Sequence, residues 1–172
     1  GTISSISWSF NDDILAIGSI NGIFALYINQ THEIKTFQLQ CKGINRIFWS
    51  IFSEQICFTT NENQILLINI NSQKDISIEF LLKIDFQIDK LEFVNESSLI
   101  LNNQEGELFF VSHGTVKYLT TLLIPVSVIH SPQENVAIIL SSDNILTLFQ
   151  LQANLQLKKF DQIKLSDGAF SH

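Results

Sequence analysis

The chain has 172 residues, of which 45% are hydrophobic and 16% charged, with a net charge of −7. So apolar a chain must bury much of its length, which excludes disorder, and its acidic balance disfavours nucleic acid or an anionic membrane as a direct partner, since both select basic surfaces. Apolar residues come in runs of about four to eight, against roughly twenty for a membrane-crossing helix, so no direct membrane insertion is expected.

The first unit spans Ile3 to Ile28, ISSISWSFNDDILAIGSINGIFALYI. Ile3, Ile6 and Trp8 precede a polar turn at Ser9 to Asp13; Ile14 to Ile17 follow, then Asn21 and Gly22, then Ile23 to Ile28. Short β-branched and aromatic runs broken by Asn, Asp and Gly predict successive antiparallel strands. Asn21-Gly22 tolerates positive φ at both central positions, which suits a two-residue hairpin turn. Ile34 to Leu39 supplies a fourth strand, so one unit is four strands long.

The second unit repeats the first forty-one positions later: Trp49 follows Trp8, Ile47 follows Ile6, Ile56 follows Leu15, Glu62-Asn63 follows Asn21-Gly22, and Ile68 follows Tyr27. Its fourth strand is predicted over Ile76 to Leu82. The third unit carries Leu91 and Phe93 in the places of Ile6 and Trp8, with Glu105-Gly106 at the turn and Thr115 to Leu119 as the fourth strand. In the fourth unit, from Pro125, His130 takes the Trp8 place, Ser131-Pro132-Gln133-Glu134 forms the first turn, Asp143-Asn144 the second, and Phe149 falls where Tyr27 fell. Leu155 to Phe160 is its predicted fourth strand, and Gln162 to Leu165 is expected to open a further unit.

A period near forty residues with four strands per unit predicts an all-β fold, a β-propeller of about four blades forming part of a larger propeller. The blades are placed at residues 1–41, 42–84, 85–121 and 122–161, with 162–172 as the start of a further strand or a tail. A β-sandwich also has many short strands, but its strands have no reason to recur with the same two turns at fixed offsets. Trp8, Trp49, Phe93 and His130 are the expected packing anchors. Truncating a buried Trp at this position is expected to cost roughly 3 to 5 kcal/mol. An open set of blades exposes its terminal faces, so Ile3 to Leu39 and Leu155 to Leu165 are expected to lie beside other chain or a partner.

No catalytic or metal constellation stands out. His32, His113, His130 and His172 are far apart and lack metal-ligand spacing with cysteine or one another. Turn chemistry accounts for the adjacent carboxylates Asp12 and Asp13, and no nucleophile elbow, phosphate loop or dinucleotide fingerprint is present. Trp8 and Trp49 could stack on a base or sugar, but their repeat-equivalent placement favours packing. Hence no catalytic residue, cofactor, metal or small-molecule substrate is expected. Two cysteines, Cys41 and Cys57, are too few for a disulfide framework, and a reducing compartment is the simpler expectation. No secretory signal opens the sequence, so the acceptor patterns at Asn29 and Asn95 are read as chance.

Ser9-Phe10-Asn11-Asp12-Asp13 and Ser131-Pro132-Gln133-Glu134 resemble the Ser-Pro-Asp-Gly turn of WD-repeat proteins. Ala16-Ile17-Gly18-Ser19 with Asn21-Gly22 resembles their Ala-Ser-Gly-Ser segment and the turn after it. No Gly-His pair precedes the first strands, and the Trp-Asp signature is replaced by Tyr27-Ile28, Ile68-Asn69, Val111-Ser112 and Phe149-Gln150. The family's Asp-His network is therefore not expected here. Such degenerate repeats are similar to the propellers of intraflagellar transport subunits, and Gly106 to Leu119, GELFFVSHGTVKYL, looks like a segment of a complex A propeller. Val136 to Phe149 and Lys164-Leu165-Ser166 follow in a similar order. The resemblance implies a non-enzymatic scaffold that contacts other protein subunits of a large complex. It also implies a cytoplasmic location at the cilium and basal body, in retrograde transport. A propeller of another coat or adaptor complex is the alternative, and a propeller enzyme a remoter one.

Overall fold

The computed structural model describes residues 1–52, 54–96, 98–122, 125–131, 136–152 and 157–165. The first sheet holds β1 (Ile3–Trp8), β2 (Ile14–Ser19), β3 (Ile23–Ile28) and β4 (Glu33–Gln38). A second holds β5 (Ile44–Trp49), β6 (Gln55–Thr60), β7 (Gln64–Ile70) and β8 (Ile76–Lys83). The third is formed by β9 (Ile88–Asn95), β10 (Ser98–Asn103), β11 (Glu107–Ser112) and β12 (Thr115–Thr121). The fourth comprises β13 (Pro125–Ser131), β14 (Val136–Ser141), β15 (Ile145–Leu151) and β16 (Leu157–Lys164). Each sheet is an antiparallel meander in sequence order. The chain divides into two compact units, Gly1–Gln87 and Ile88–His172, each with two of these sheets.

One backbone device recurs in all four sheets. Between the second and third strands a three-residue loop ends on a residue of positive φ: Gly22 (75°), Asn63 (55°), Gly106 (80°) and Asn144 (60°). Its amide closes the turn onto Ser19, Thr60, Asn103 or Ser141, at 3.1 to 3.2 Å. Its carbonyl accepts the amide of the residue after the fourth strand: Leu39, Ile84, Leu122 or Leu165, at 2.8 to 3.0 Å. This is a type I turn completed by a left-handed residue. It corrects the expected two-residue turn at Asn21-Gly22, because only Gly22 has positive φ. The two-residue form occurs instead at His113-Gly114, where both residues have positive φ (48° and 72°) and Ser112 pairs with Thr115.

The same bonding corrects the end of the fourth unit. Gln162, Ile163 and Lys164 pair with Thr147, Leu146 and Ile145, so they finish β16 rather than open a further unit. β15 would otherwise leave those ladder groups unpaired, and the Leu165 amide completes the closure on Asn144. Leu155, the expected start of this strand, lies outside the described residues, as do 132–135 of the first turn in this unit.

The fourth strands carry several charges, Glu33 and Lys35 on β4, Lys117 on β12, and Lys158, Lys159 and Lys164 on β16, whereas Glu107 of β11 is the one charged residue of the inner strands. Charged side chains on an edge discourage pairing with foreign strands. At the turn, the Cβ of an alanine at position 22 would stand 2.4 Å from the Cys41 carbonyl oxygen at a φ that alanine disfavours. Gly22→Ala should therefore destabilise the chain by about 1 to 3 kcal/mol, whereas Asn63→Gly should be near neutral. Urea denaturation of the two variants checks this.

Candidate interaction surfaces

Repeat-equivalent residues occupy the same place in each sheet. Trp8 pairs with Leu15, Leu15 with Tyr27, and Tyr27 with Ile34. The matching rows are Trp49, Ile56, Ile68 and Ile78, then Phe93, Leu99, Val111 and Val116. In the fourth sheet the row is His130, Ala137, Phe149 and Lys159. The face bearing this row is the anchor face.

In the first unit the anchor face of the second sheet covers the opposite face of the first. Ile44, Ile47, Ile56, Phe58, Leu66 and Ile68 pack on Ile14, Ala16, Phe24 and Leu26, forming one buried cluster. Phe24 and Phe58 meet edge to face with ring centroids 4.7 Å apart. Ile44 approaches so closely that a Cβ on Gly18 would lie 2.6 Å from its Cγ2. Trp49 crosses the boundary as a donor, its Nε1–H reaching the Ser7 carbonyl at 2.9 Å. The second unit has the same polarity: Ala137, Ile139 and Phe149, on the anchor face of the fourth sheet, pack with Val94, Ile100, Leu108 and Phe110 of the third.

The four anchors differ in burial. Phe93 is buried and Trp49 half-buried. Trp8, expected to be a buried packing residue, is 44% exposed and touches Tyr27 edge-on at 6.4 Å. The reason lies in position, because within this unit no sheet covers the anchor face of the first. There Ile6 is 62% exposed, while its equivalent Ile47 is 7% exposed. Of His130 only the backbone is described.

A second apolar surface opens at one end of the first unit. Ser9-Phe10 and Ser50-Ile51 are equivalent turn residues, and between them lies a cleft of about 260 Å³, walled by Trp49, Phe52 and Ile14 with Glu54 at its edge. Phe10 is 81% exposed and Ile51 is also exposed. The serine hydroxyls are committed to the turns: Ser9 Oγ accepts from the Ile14 amide at 3.0 Å and donates to Asn11 Oδ1 at 2.8 Å. Ser50 Oγ accepts from the Phe52 amide at 3.1 Å. Glu54 accepts from Lys74 Nζ at 2.8 Å. Such a lining offers apolar contact beside one carboxylate that is already paired with Lys74, and both serine hydroxyls are held by their turns. Phe10 and Ile51 were missed as site residues in the sequence; the readable signal was two apolar residues at the same offset in polar turns.

The carboxylates Asp12 and Asp13 serve the first turn, Asp12 at positive φ and Asp13 accepting from Asn11 Nδ2 at 2.6 Å. His32 bonds Tyr27 Oη through Nδ1 at 2.7 Å, and His113 bonds Ser112 Oγ at 2.9 Å. Among the described residues no group of three or more His, Cys, Asp or Glu is placed to hold a metal ion. The turn pairs Asn21-Gly22, Glu62-Asn63, Glu105-Gly106 and Asp143-Asn144 all lie in the three-residue loops described above.

No protein-family model matches the sequence, and no curated protein matches it. Its structure is similar to the crystal structure of the β-propeller domain of Myceliophteria thermophila Cps50 (Swd1), with a TM-score of 0.65 at 11% identity. The match covers 83% of this chain and 48% of that one. This chain has the β-propeller fold. Its four sheets are blades, and it spans about half the length of the propeller it matches.

Two measurements check these surfaces. Trp49→Ala should cost about 3 kcal/mol of stability in dilute solution, and Trp8→Ala only about 1 kcal/mol. Equal losses in urea denaturation would contradict the exposed placement of Trp8. Burial raises the thiol pKa of Cys57, and Cys41 is raised by partial burial and then by Glu62. At neutral pH a thiol-specific dye should label Cys41 slowly and leave Cys57 unmodified until the blades are unfolded.

Proposed function

We propose that the chain is a non-catalytic protein-interaction scaffold that uses blade surfaces and inter-blade turns to hold other subunits of a large complex. The cleft between the Ser9-Phe10 and Ser50-Ile51 turns carries this reading, because a strongly exposed aromatic beside an apolar cavity is the kind of anchor point found at protein interfaces. The apolar lining favours a partner segment with an aliphatic or aromatic residue, and the net charge of −7 favours a basic one next to it.

The finer reading is a subunit of intraflagellar transport complex A, resembling the propeller of the subunit named for a mass of one hundred and forty kilodaltons, in retrograde transport at the cilium and basal body. Its support is the likeness of Gly106 to Leu119 together with the loss of the Trp-Asp signature in every blade. A propeller from another coat or adaptor complex is the second reading, favoured by the same degenerate repeats. Affinity capture from ciliated cells with the tagged chain and with a Phe10→Asp, Ile51→Asp variant separates them. The proposal expects transport-complex subunits with the first and their loss with the second. Recovery of a different coat complex would favour the second reading, and unchanged capture by the variant would refute the cleft.

A further inference from the structure

Asparagine followed by glycine occurs once in the chain, at Asn21-Gly22, and the fold places the pair in the turn between β2 and β3. An asparagine loses its side-chain nitrogen most readily when the next residue has no side chain, because the following backbone nitrogen can then swing onto the carboxamide carbon. The equivalent turns do not repeat the pairing. Glu105 precedes Gly106, while the left-handed Asn63 and Asn144 precede Gln64 and Ile145, whose side chains obstruct that approach.

The two reacting groups are held very differently. Asn21 is exposed, and its carboxamide has no hydrogen-bond partner among the described residues. Gly22 is buried, and its nitrogen is fixed. Three successive amides converge on Ser19: those of Asn21 and Ile23 donate to its Oγ at 3.3 and 3.0 Å, and that of Gly22 to its carbonyl at 3.2 Å. The Gly22 carbonyl in turn accepts the Leu39 amide at 3.0 Å. Gln38 Nε2 donates to the Asn21 carbonyl at 3.3 Å. Rotating the Gly22 nitrogen toward the Asn21 side chain breaks its bond to Ser19 and disturbs the closure of β4. The carboxamide is thus accessible while its nucleophile is locked.

We propose that Asn21 is a latent self-modification site, inert while this turn is shut and consumed when it opens. In the open turn the Gly22 nitrogen gives its proton to solvent base and attacks Asn21 Cγ. The new N–Cγ bond forms, the Cγ–Nδ2 bond breaks, and the side-chain nitrogen takes up a proton and leaves as ammonia. Water then opens the cyclic imide. Cleavage of the new bond leaves aspartate in an ordinary backbone. Cleavage of the original peptide bond leaves isoaspartate, in which the main chain runs through the side-chain carbons. No oxidant or reductant takes part.

The isoaspartyl product adds a carbon to a loop whose amides share one serine, so Ser19 no longer collects them and Leu39 loses its acceptor. Hydrolysis does not regenerate asparagine. The chain therefore keeps a one-way record of opening at the start of the 39–43 segment that leads from the first blade to the second.

Peptide mapping by mass spectrometry, after incubation in mildly alkaline buffer with and without urea, tests this. In urea Asn21 should convert to aspartyl and isoaspartyl forms, and in the folded chain about ten-fold or more slowly, since the reaction then waits on local opening. Ser19→Ala, verified as folded by circular dichroism, keeps the reacting pair but removes the hydroxyl that holds two of the amides. Its folded-state conversion should be faster than that of the wild type. After refolding, hydrogen exchange should find the Leu39 amide protected in the unreacted chain and unprotected in the isoaspartyl one. Equal rates with and without urea, or no conversion in urea, would overturn the proposal. So would a folded Ser19→Ala that converts no faster, or a Leu39 amide still protected in the isoaspartyl chain.

Discussion

A four-stranded sheet that is apolar on both faces cannot cover itself, and every larger feature of this chain follows from how that constraint is met. The solution is directional. In each unit the later blade lays its anchor face on the opposite face of the earlier one, with Ile44 seated over Gly18 and Phe58 against Phe24 in the first unit. Because the contact is made between unlike faces, it leaves unlike faces at its ends. Hydrophobic burial is non-directional; what sets the direction here is shape and the hydrogen bonds across the boundary, Ser4 Oγ to the Ile44 carbonyl among them. Gly18 makes room for Ile44, and the Ser7 carbonyl receives the Trp49 indole.

Within a blade, order comes from the left-handed residue of the second turn. Its carbonyl ties the end of the fourth strand to the hairpin of the second and third strands in all four blades, although the residue is glycine in two and asparagine in two. Those residue types tolerate positive φ best. The blades therefore differ widely in side chains and still close alike. Outer strands such as β16 can then be rich in lysine and remain strands, because ladder bonds and the closing amide hold them more than burial does.

Much of this was legible in the sequence because it repeats. The forty-one-residue offset between Trp8 and Trp49 placed both on the same row of successive sheets, and the polar pairs from Asn21-Gly22 to Asp143-Asn144 marked real turns. Burial was less legible. Trp8 and Trp49 are chemically identical, and only the presence of a covering blade separates them, which no local pattern encodes. The end of β16 was misread because Lys158 to Lys164 lacks the apolar alternation of an inner strand. Asn21-Gly22 suggested a two-residue hairpin because the pair is compatible with it; the loop also takes in Ile20, and since Asn61, Gln104 and Ser142 hold that place in the other blades, no single residue type there announces the longer turn. The cleft escaped notice because Phe10 and Ile51 read as interruptions of polar turns rather than as a pair.

The central claim is that the Trp8 face is the uncovered copy of an interface that Trp49 already makes. Hydrogen exchange of the two indole N–H groups, followed by nuclear magnetic resonance in dilute solution and assigned with Trp8→Phe, measures that difference directly. The Trp49 N–H should exchange slowly and the Trp8 N–H at a rate close to that of free indole. Equal protection of the two, or faster exchange at Trp49, would contradict the account.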